Sequence, residues 1–183
     1  MSRPAGLEAA LAAYARELAR WGERMNLVGS TEPAALGRHF DDSLAAAAAL
    51  PAGASVVDLG SGAGFPGLPL ALARADLRLA LVEIREKRLA FLRHVVRELA
   101  PQVEVLGMSI ESEPPRRFDF ALLRAVARPP RSLELAAPWL RAGGEAWLWV
   151  GPDDGLPDAQ AIPLASGGRI LRVRVADFSR GTS

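Results

Sequence analysis

Residues 56–67, which read VVDLGSGAGFPG, decide the fold of this chain. A short apolar run ends in a stretch with four glycines, and a second apolar segment follows directly. This order is typical of a strand, a tight turn and a helix in succession. Glycine permits such a turn and lets a ligand approach the backbone closely. We therefore expect a ligand-binding turn at the tip of the first strand.

Two ligand classes compete for this turn, and an acidic residue favours one of them. Gly62, Gly64 and Gly67 fit the spacing of a dinucleotide-binding loop. Asp58 stands two residues before Gly60, where its carboxylate would repel a pyrophosphate. Two unit charges roughly 6 Å apart cost on the order of 3 kcal/mol at an effective dielectric near 20. S-adenosylmethionine carries an ammonium and a sulfonium instead, so the sequence favours that ligand; a dinucleotide and a purely structural turn remain the alternatives.

A second acidic residue supports the same pocket. Glu83 ends the next predicted strand, 25 positions after Asp58. Acids that accept hydrogen bonds from a ribose lie about 20 residues beyond such a turn. From the residues themselves we therefore predict that Asp58, Ser61, Gly62 and Glu83 bind the cofactor.

Strand and helix patterns alternate from residue 55 onwards. Runs of Val, Leu and Ile predict strands at residues 56–59, 77–83, 103–106, 118–123 and 146–150. Between them, helical patterns cover residues 66–74, 86–99 and 130–140, and two strands around a Gly-Gly turn at 167–168 predict a terminal hairpin. Alternation of this kind predicts an α/β fold with a mostly parallel sheet covered on both faces.

Two helices precede this core. Apolar residues recur every three or four positions from residue 7 to 25, and a second helix is predicted from Pro33 to the proline at 51, with Thr31 as its cap. We expect one domain over residues 1–183, formed by a helical extension at 1–51 and a Rossmann-like core at 55–183.

Composition excludes several classes of protein. The chain has 183 residues, a net charge of +1 and no cysteine, which excludes a disulfide framework and any cysteine-based metal centre. With two histidines in addition, we expect no protein-bound metal. The sequence lacks an apolar leader and a membrane-length apolar stretch, so we expect a cytoplasmic protein without membrane contact.

Four ordered segments make the chain similar to one family. They are residues 21–28 (WGERMNLV), 38–44 (RHFDDSL), 57–70 (VDLGSGAGFPGLPL) and 87–93 (KRLAFLR), with a looser match at 123–127 (LRAVA). In these segments the chain resembles the bacterial small-subunit rRNA guanine-N7 methyltransferase G family, also called glucose-inhibited division protein B. The resemblance implies a class I methyltransferase fold with a seven-stranded sheet, and methyl transfer from S-adenosylmethionine to N7 of a guanine in 16S rRNA.

The resemblance also implies site residues and partners. The cofactor is expected near Gly60, Phe65, Ile110, Glu111 and Arg124, with Ile110 and Glu111 beside the adenine. Arg124 is the one catalytic candidate, either on the cofactor carboxylate or orienting the guanine. Candidate substrate residues are Asn26, Arg38, His39 and Arg128. Asp42 shares a helix face with Arg38 and His39, and an internal Arg–Asp pair is the structural alternative. The expected partner of a monomeric protein is 16S rRNA or the small ribosomal subunit.

The chain departs from the family pattern at its C-terminal end. The family has a Lys-Gly pair after the fifth strand, whereas here Val150 precedes Gly151, and the next segment is short enough to have lost a helix. Arg141 is a candidate to replace the missing lysine. These departures keep two alternatives open: a small-molecule methyltransferase with a changed substrate site, and a non-catalytic RNA- or ribosome-binding protein.

Overall fold

The computed structural model describes residues 5–23, 25, 27–157 and 159–174. Two helices come first, and a seven-stranded sheet with three further helices follows. The elements are α1 Ala5–Gly22, α2 Pro33–Leu44, β1 Ser55–Leu59, α3 Gly67–Ala73, β2 Arg78–Val82, α4 Glu86–Leu99, β3 Glu104–Leu106, β4 Phe118–Arg124, α5 Pro129–Ala136, a 3-10 turn Ala137–Trp139, β5 Leu140–Val150, β6 Gln160–Pro163 and β7 Arg169–Arg174.

The sheet has the strand order β3-β2-β1-β4-β5-β7-β6. Strands β1 to β5 are parallel to one another, and β7 runs antiparallel to both β5 and β6. The order reverses direction at β1 and β4, which places a crevice at the carboxyl ends of these two strands. The predicted mostly parallel sheet with a terminal antiparallel hairpin is confirmed.

Side chains alternate between the two faces of the sheet, as the strand geometry requires. Val56 belongs to a core shared with the N-terminal helices, α3 and α4, whereas Val57 and Leu59 belong to a core around Trp139 on the opposite face. Asp58 therefore shares the face of Val56. All four of these strand residues are fully buried.

The N-terminal helices pack against the core. Tyr14 of α1 is fully buried against Phe40, Phe65 and Phe91. Nε2 of His94 on α4 lies 2.8 Å from a carboxylate oxygen of Glu17 on α1. No helix in the described part of the chain is long and apolar enough to cross a membrane.

The boundaries of α2 differ from the prediction. Glu32, not Thr31, occupies the cap position, and the helix ends at Leu44 rather than at residue 50. In the alanine run that follows, Arg74 donates hydrogen bonds to the carbonyls of Ala47, Leu50 and Pro51. These bonds satisfy carbonyl groups that would otherwise lack a backbone partner after α2 ends.

The end of α5 is also different. The helix gives way at residue 137 to a 3-10 turn, and β5 begins at Leu140, six residues earlier than predicted. Pro138 lies in the predicted helix, where it lacks an amide donor and its ring crowds the preceding turn. The short segment after Gly151 contains no helix in residues 151–157 and 159, as the sequence predicts.

Candidate active site

The glycine loop, residues 60–67, turns the chain sharply from β1 into α3. Gly60 has a φ of 70°, a left-handed conformation that side chains disfavour. At Gly67 the constraint is one of space. A Cβ there would lie 2.5 Å from Leu81 Cδ2 and 2.7 Å from Asp58 Oδ2. The start of α3 therefore packs directly on the first two strands, because residue 67 has no side chain.

Asp58 lies beneath this loop. Its side chain is fully buried, and Oδ2 accepts a hydrogen bond of 3.0 Å from the backbone N–H of Gly67. Its other oxygen, Oδ1, is buried without a hydrogen-bond partner. Burial raises the pKa of this carboxyl to about 7, although the hydrogen bond from Gly67 opposes the shift. An unpaired carboxylate oxygen under the loop fits a cationic ligand and disfavours a pyrophosphate, so the residues present fit S-adenosylmethionine.

Glu83 fastens the loop to the end of β2. Its Oε2 accepts the N–H of Gly62 at 3.1 Å, and its Oε1 accepts the N–H groups of Ile84 and Arg85 at 2.8 Å each. Arg88 Nη1 is 3.9 Å from Oε2. The carboxylate keeps further lone pairs, so its predicted role towards a ribose is compatible with this geometry.

Sequence reasoning missed Ile84, which follows Glu83. Its side chain is 62% exposed, the highest exposure of any large hydrophobic residue in the described part of the chain. The available signal was an isolated apolar residue after a strand-terminal acid. An exposed isoleucine beside a polar acceptor is suited to contact one face of a flat ring.

Arg124, the last residue of β4, forms a cluster with three residues from other segments. Its Nη2 donates to His39 Nδ1 at 2.6 Å and lies 3.8 Å from Asp42 Oδ2 on the same helix α2. The guanidinium carbon is 5.8 Å from the ring centre of Phe65 in the glycine loop. Its other terminal nitrogen, Nη1, is buried without a partner. The partner of Asp42 is therefore Arg124 and not Arg38.

His39 is a neutral acceptor in this cluster. Burial is the main cause that lowers its pKa, and the positive charge of Arg124 lowers it further. Because a guanidinium has no acceptor, Nδ1 must accept the hydrogen bond between the two side chains. His39 thus orients Arg124 in this structure, which differs from a direct role on substrate.

An open cavity of about 710 Å³ adjoins this cluster. Such a volume falls in the range of roughly 300–1,000 Å³ that is typical of ligand pockets. Its walls come from α2, the end of β4, the end of β5 and the turn between β6 and β7. They are formed by Asp42, Arg124, Ala125, Val126, Ala127, Arg128, Pro129, Trp149, Val150, Gly151, Pro152, Asp154, Leu164, Ser166 and Gly168.

The backbone is strained at the edge of this cavity. Ala125, directly after Arg124, has a φ of 55°. A left-handed conformation costs a residue with a Cβ roughly 1–2 kcal/mol. Strain of this kind concentrates at functional sites, where the surrounding structure holds it in place.

Trp149 and Tyr14 connect the site to its surroundings in ways that the sequence did not reveal. Trp149 Nε1 donates to the backbone carbonyl of Asp42 at 2.8 Å. The hydroxyl of Tyr14 donates to the backbone carbonyl of Ala63 in the glycine loop. In the sequence both aromatic residues look like ordinary core residues. The pattern of apolar residues does not show what the indole N–H of Trp149 and the hydroxyl of Tyr14 bind.

The remaining predicted residues have different surroundings in the structure. Ser61 is buried, and its hydroxyl donates to the backbone carbonyl of Asp58 at 2.8 Å. Ile110 accepts a 2.8 Å hydrogen bond from Trp139 through its carbonyl, while the neighbouring Glu111 is exposed and lies 2.8 Å from Arg131. Arg128 lies on the cavity wall.

Three candidates are not part of the cluster. Arg38 is exposed and does not share the inward orientation of His39. Asn26 lies outside the described residues. Arg141 stands at the start of β5 and pairs with Asp119, at the opposite end of the strand from Val150. It cannot replace the missing lysine, because β5 separates it from the cavity.

Comparisons with solved structures agree with this architecture. An Aquifex aeolicus structure titled as a SAM-dependent methyltransferase aligns with a TM-score of 0.58 at 16% identity, covering 79% of this chain and 94% of that one. The Burkholderia thailandensis 1,6-didemethyltoxoflavin-N1-methyltransferase, solved with S-adenosylhomocysteine, aligns with a TM-score of 0.57 at 16% identity over 95% and 92%. These alignments show that the chain has the class I methyltransferase fold.

Sequence comparison identifies the family. The family model described as rRNA small subunit methyltransferase G matches residues 7–154. A protein named ribosomal RNA small subunit methyltransferase G from Hyphomonas neptunium is 38% identical, with 87% of this chain and 83% of the relative covered. The protein of the same name from Gluconobacter oxydans is 38% identical over 91% and 92%. The chain belongs to the rRNA small subunit methyltransferase G family.

Proposed function

We propose that this protein transfers a methyl group from S-adenosylmethionine to N7 of a guanine in 16S rRNA. The observation that carries the proposal is the family match over residues 7–154, which includes both the glycine loop and the α2–β4 walls of the cavity. The same match disfavours the two alternatives, a small-molecule methyltransferase and a non-catalytic binding protein.

The chemistry requires alignment rather than a catalytic base. When bound, S-adenosylmethionine supplies an electrophilic methyl group on a sulfonium. The N7 lone pair of guanine forms the new bond to carbon, the electrons of the breaking C–S bond remain on sulfur, and no proton leaves the base. The protein must align the base with the methyl group and exclude water, which supplies roughly 7–11 kcal/mol in well-oriented reactions.

The cofactor half of the site, which comprises the glycine loop with Asp58 and Glu83, is assigned to the donor. Asp58 lies under the loop, where its negative form favours the cationic end of the donor. Glu83 and Ile84 lie at the end of β2, where we place the ribose and one face of the adenine. We place Ile110 and Glu111, in the loop after β3, beside the adenine.

The substrate half, which comprises the cavity and its walls, is assigned to the guanine. Arg124 lies between the two halves, in contact with Phe65 of the loop and on the wall of the cavity. Arg128 is exposed on the same wall and is placed to meet a phosphate. Arg38 is a proposed contact of the RNA outside the cavity, and Asn26, which lies outside the described residues, stays a proposed contact.

The substrate determines the expected setting of the protein. A ribosomal RNA substrate places it in the cytoplasm, on 16S rRNA or the small ribosomal subunit. We expect it to act as a monomer, as one domain over residues 1–183, without membrane contact.

The test uses small subunits from a strain that lacks the corresponding gene. The purified protein is incubated with these subunits and methyl-labelled S-adenosylmethionine, and the labelled nucleotide is mapped. We expect one 7-methylguanosine in 16S rRNA. Label in no RNA, with turnover on a small molecule, would favour the small-molecule alternative, and RNA binding without label would favour the non-catalytic one.

A further inference from the structure

Asp42 lies on the wall of the cavity, and one of its carboxylate oxygens has no hydrogen-bond partner. The residue is only 6% exposed, and its Oδ1 is buried with no hydrogen-bond partner. Its Oδ2 is 3.8 Å from Arg124 Nη2, beyond hydrogen-bond distance. A buried acceptor without a hydrogen-bond partner destabilises the folded protein, and the destabilisation is larger when the acceptor is charged. A residue that keeps this cost at a cavity wall is suited to receive a donor from a ligand.

The position of this carboxylate is fixed by the fold. Asp42 lies in the last turn of α2, and its backbone carbonyl accepts the Trp149 Nε1 hydrogen bond from the end of β5. Trp149 lines the same cavity. The backbone of Asp42 is thus fixed both by α2 and by Trp149. This limits the positions that a base bound to its carboxylate can take.

The chemistry of a carboxylate selects one base. An ionised carboxylate only accepts hydrogen bonds, through two oxygens. Guanine alone presents two adjacent donors, N1–H and the N2 amino group, on its Watson–Crick edge. Adenine and cytosine present a ring-nitrogen acceptor at the equivalent place, and uracil presents one donor between two carbonyls. Flipped and single-stranded bases are commonly recognised on this edge.

The structure assigns Asp42 as the residue that recognises the target guanine, by accepting hydrogen bonds from its N1–H and N2 amino group. This inference rests on the proposed function and names the group that selects the base. The Watson–Crick edge lies opposite N7, so binding there leaves the nucleophile free to face the donor. As the new bond forms, positive charge spreads over the purine and strengthens N1–H as a donor. A carboxylate contact that strengthens in the transition state raises kcat as well as affinity.

Inosine is the appropriate probe, because it is guanosine without the N2 amino group. Small subunits are reconstituted with 16S rRNA that carries guanosine or inosine at the position mapped in the first experiment, and kcat/KM is measured for both. We expect the wild-type protein to prefer guanosine by about tenfold to a hundredfold, the loss typical of one charge-assisted hydrogen bond. Equal rates on the two substrates would overturn the assignment without any variant being needed.

Asp42→Asn is the test variant, and Asp41→Asn is its matched control, since it removes the same charge from the exposed neighbouring position on α2. The Asp42 variant should lose about tenfold to a hundredfold on guanosine, and its preference over inosine should fall to about threefold or less, with an unchanged Kd for S-adenosylmethionine. The Asp41 variant should keep the wild-type preference for guanosine over inosine.

Three outcomes are distinguishable. Full activity of Asp42→Asn on guanosine, or a variant that keeps the wild-type preference, overturns the assignment while the proposed function stands. A wild-type protein inactive on guanosine subunits overturns both. An Asp42→Asn protein that does not fold leaves the wild-type guanosine–inosine ratio as the deciding measurement.

Discussion

The cofactor half and the substrate half of this site are built differently. The cofactor half consists largely of one continuous segment, in which backbone N–H groups are held by Asp58 and Glu83. The substrate half brings side chains together from α2, β4 and β5, and its contacts run between side chains or from side chain to backbone. The donor site is therefore formed mainly by residues close together in the sequence, whereas the acceptor site exists only in the folded protein.

The largest effect on cofactor binding is expected from Gly67→Ala in the cofactor half. The new Cβ would overlap Leu81 and Asp58, and overpacking costs roughly 1–3 kcal/mol of stability. Displacement of the loop should weaken S-adenosylmethionine binding by about a hundredfold or more, which corresponds to roughly 2.7 kcal/mol. Calorimetry and thermal unfolding measure both quantities.

Gly37→Ala on α2 is the matched control. A Cβ at Gly37 meets nothing within 4 Å, so we expect unchanged cofactor binding and a gain of roughly 0.5–1 kcal/mol from helix propensity. Equal cofactor affinity in both alanine variants would show that the close packing at Gly67 does not shape the donor site.

Arg124→Met tests whether the two halves depend on one residue. It removes a guanidinium that contacts His39 and lies near Asp42, and leaves the buried Asp42 charge without its partner. Breaking a buried pair costs roughly 3–5 kcal/mol. We expect methyl transfer to fall by about a hundredfold or more in a rate assay.

Arg128→Met serves as the comparison, because this exposed side chain lies on the same cavity wall but does not belong to the Arg124 cluster. It should weaken RNA binding a few-fold and reduce the salt dependence of log K by about one phosphate contact. An equal loss of RNA binding in the Arg124→Met and Arg128→Met proteins would mean that Arg124 acts as another phosphate contact.

The pH dependence of cofactor binding tests the charge of Asp58. Its pKa is raised to about 7 by burial, so the carboxyl is partly protonated near neutral pH. If the cationic donor binds the ionised form, affinity should fall as pH drops below 7, by up to about tenfold per unit. Tyr14, Glu83 and Arg124 act on the same carboxyl, so the profile is measured against Asp58→Asn, which should be flat.

Without cofactor, the same group should affect stability in the opposite direction. The unfolded chain ionises Asp58 near pH 4 and the folded one near 7, so the unfolding free energy should decrease as pH rises between these values. The decrease is at most about 4 kcal/mol, and Asp58→Asn should lack it. Denaturant unfolding at pH 4, 5.5 and 7 compares the two proteins.

The smallest effect is expected from Tyr14→Phe, which keeps the packed ring and removes the hydroxyl that donates to Ala63. Loss of one neutral hydrogen bond costs roughly 0.5–1.5 kcal/mol. We expect that drop in unfolding free energy and a few-fold weaker cofactor binding. Unchanged cofactor affinity with reduced stability would show that α1 supports the fold and not the loop.

The cofactor half was largely predictable from local patterns. The glycine spacing, Asp58 and Glu83 gave the position of the turn and the class of ligand, and the alternating strands gave the parallel sheet. One error involved a neighbour in space, since Arg74 binds carbonyl groups of the alanine run that follows α2, and the other was local, since Pro138 shortens α5.

Local patterns in the sequence predict the fold class and the donor loop, because periodicity and glycine spacing can be recognised without knowledge of packing, and four ordered segments predict the family. The folded structure is needed to show that Asp42 faces Arg124 and that His39 orients Arg124. It also shows that Trp149 holds the end of α2 against β5. These contacts join residues about 80 to 110 positions apart, and their partners depend on which strand ends meet at the crevice.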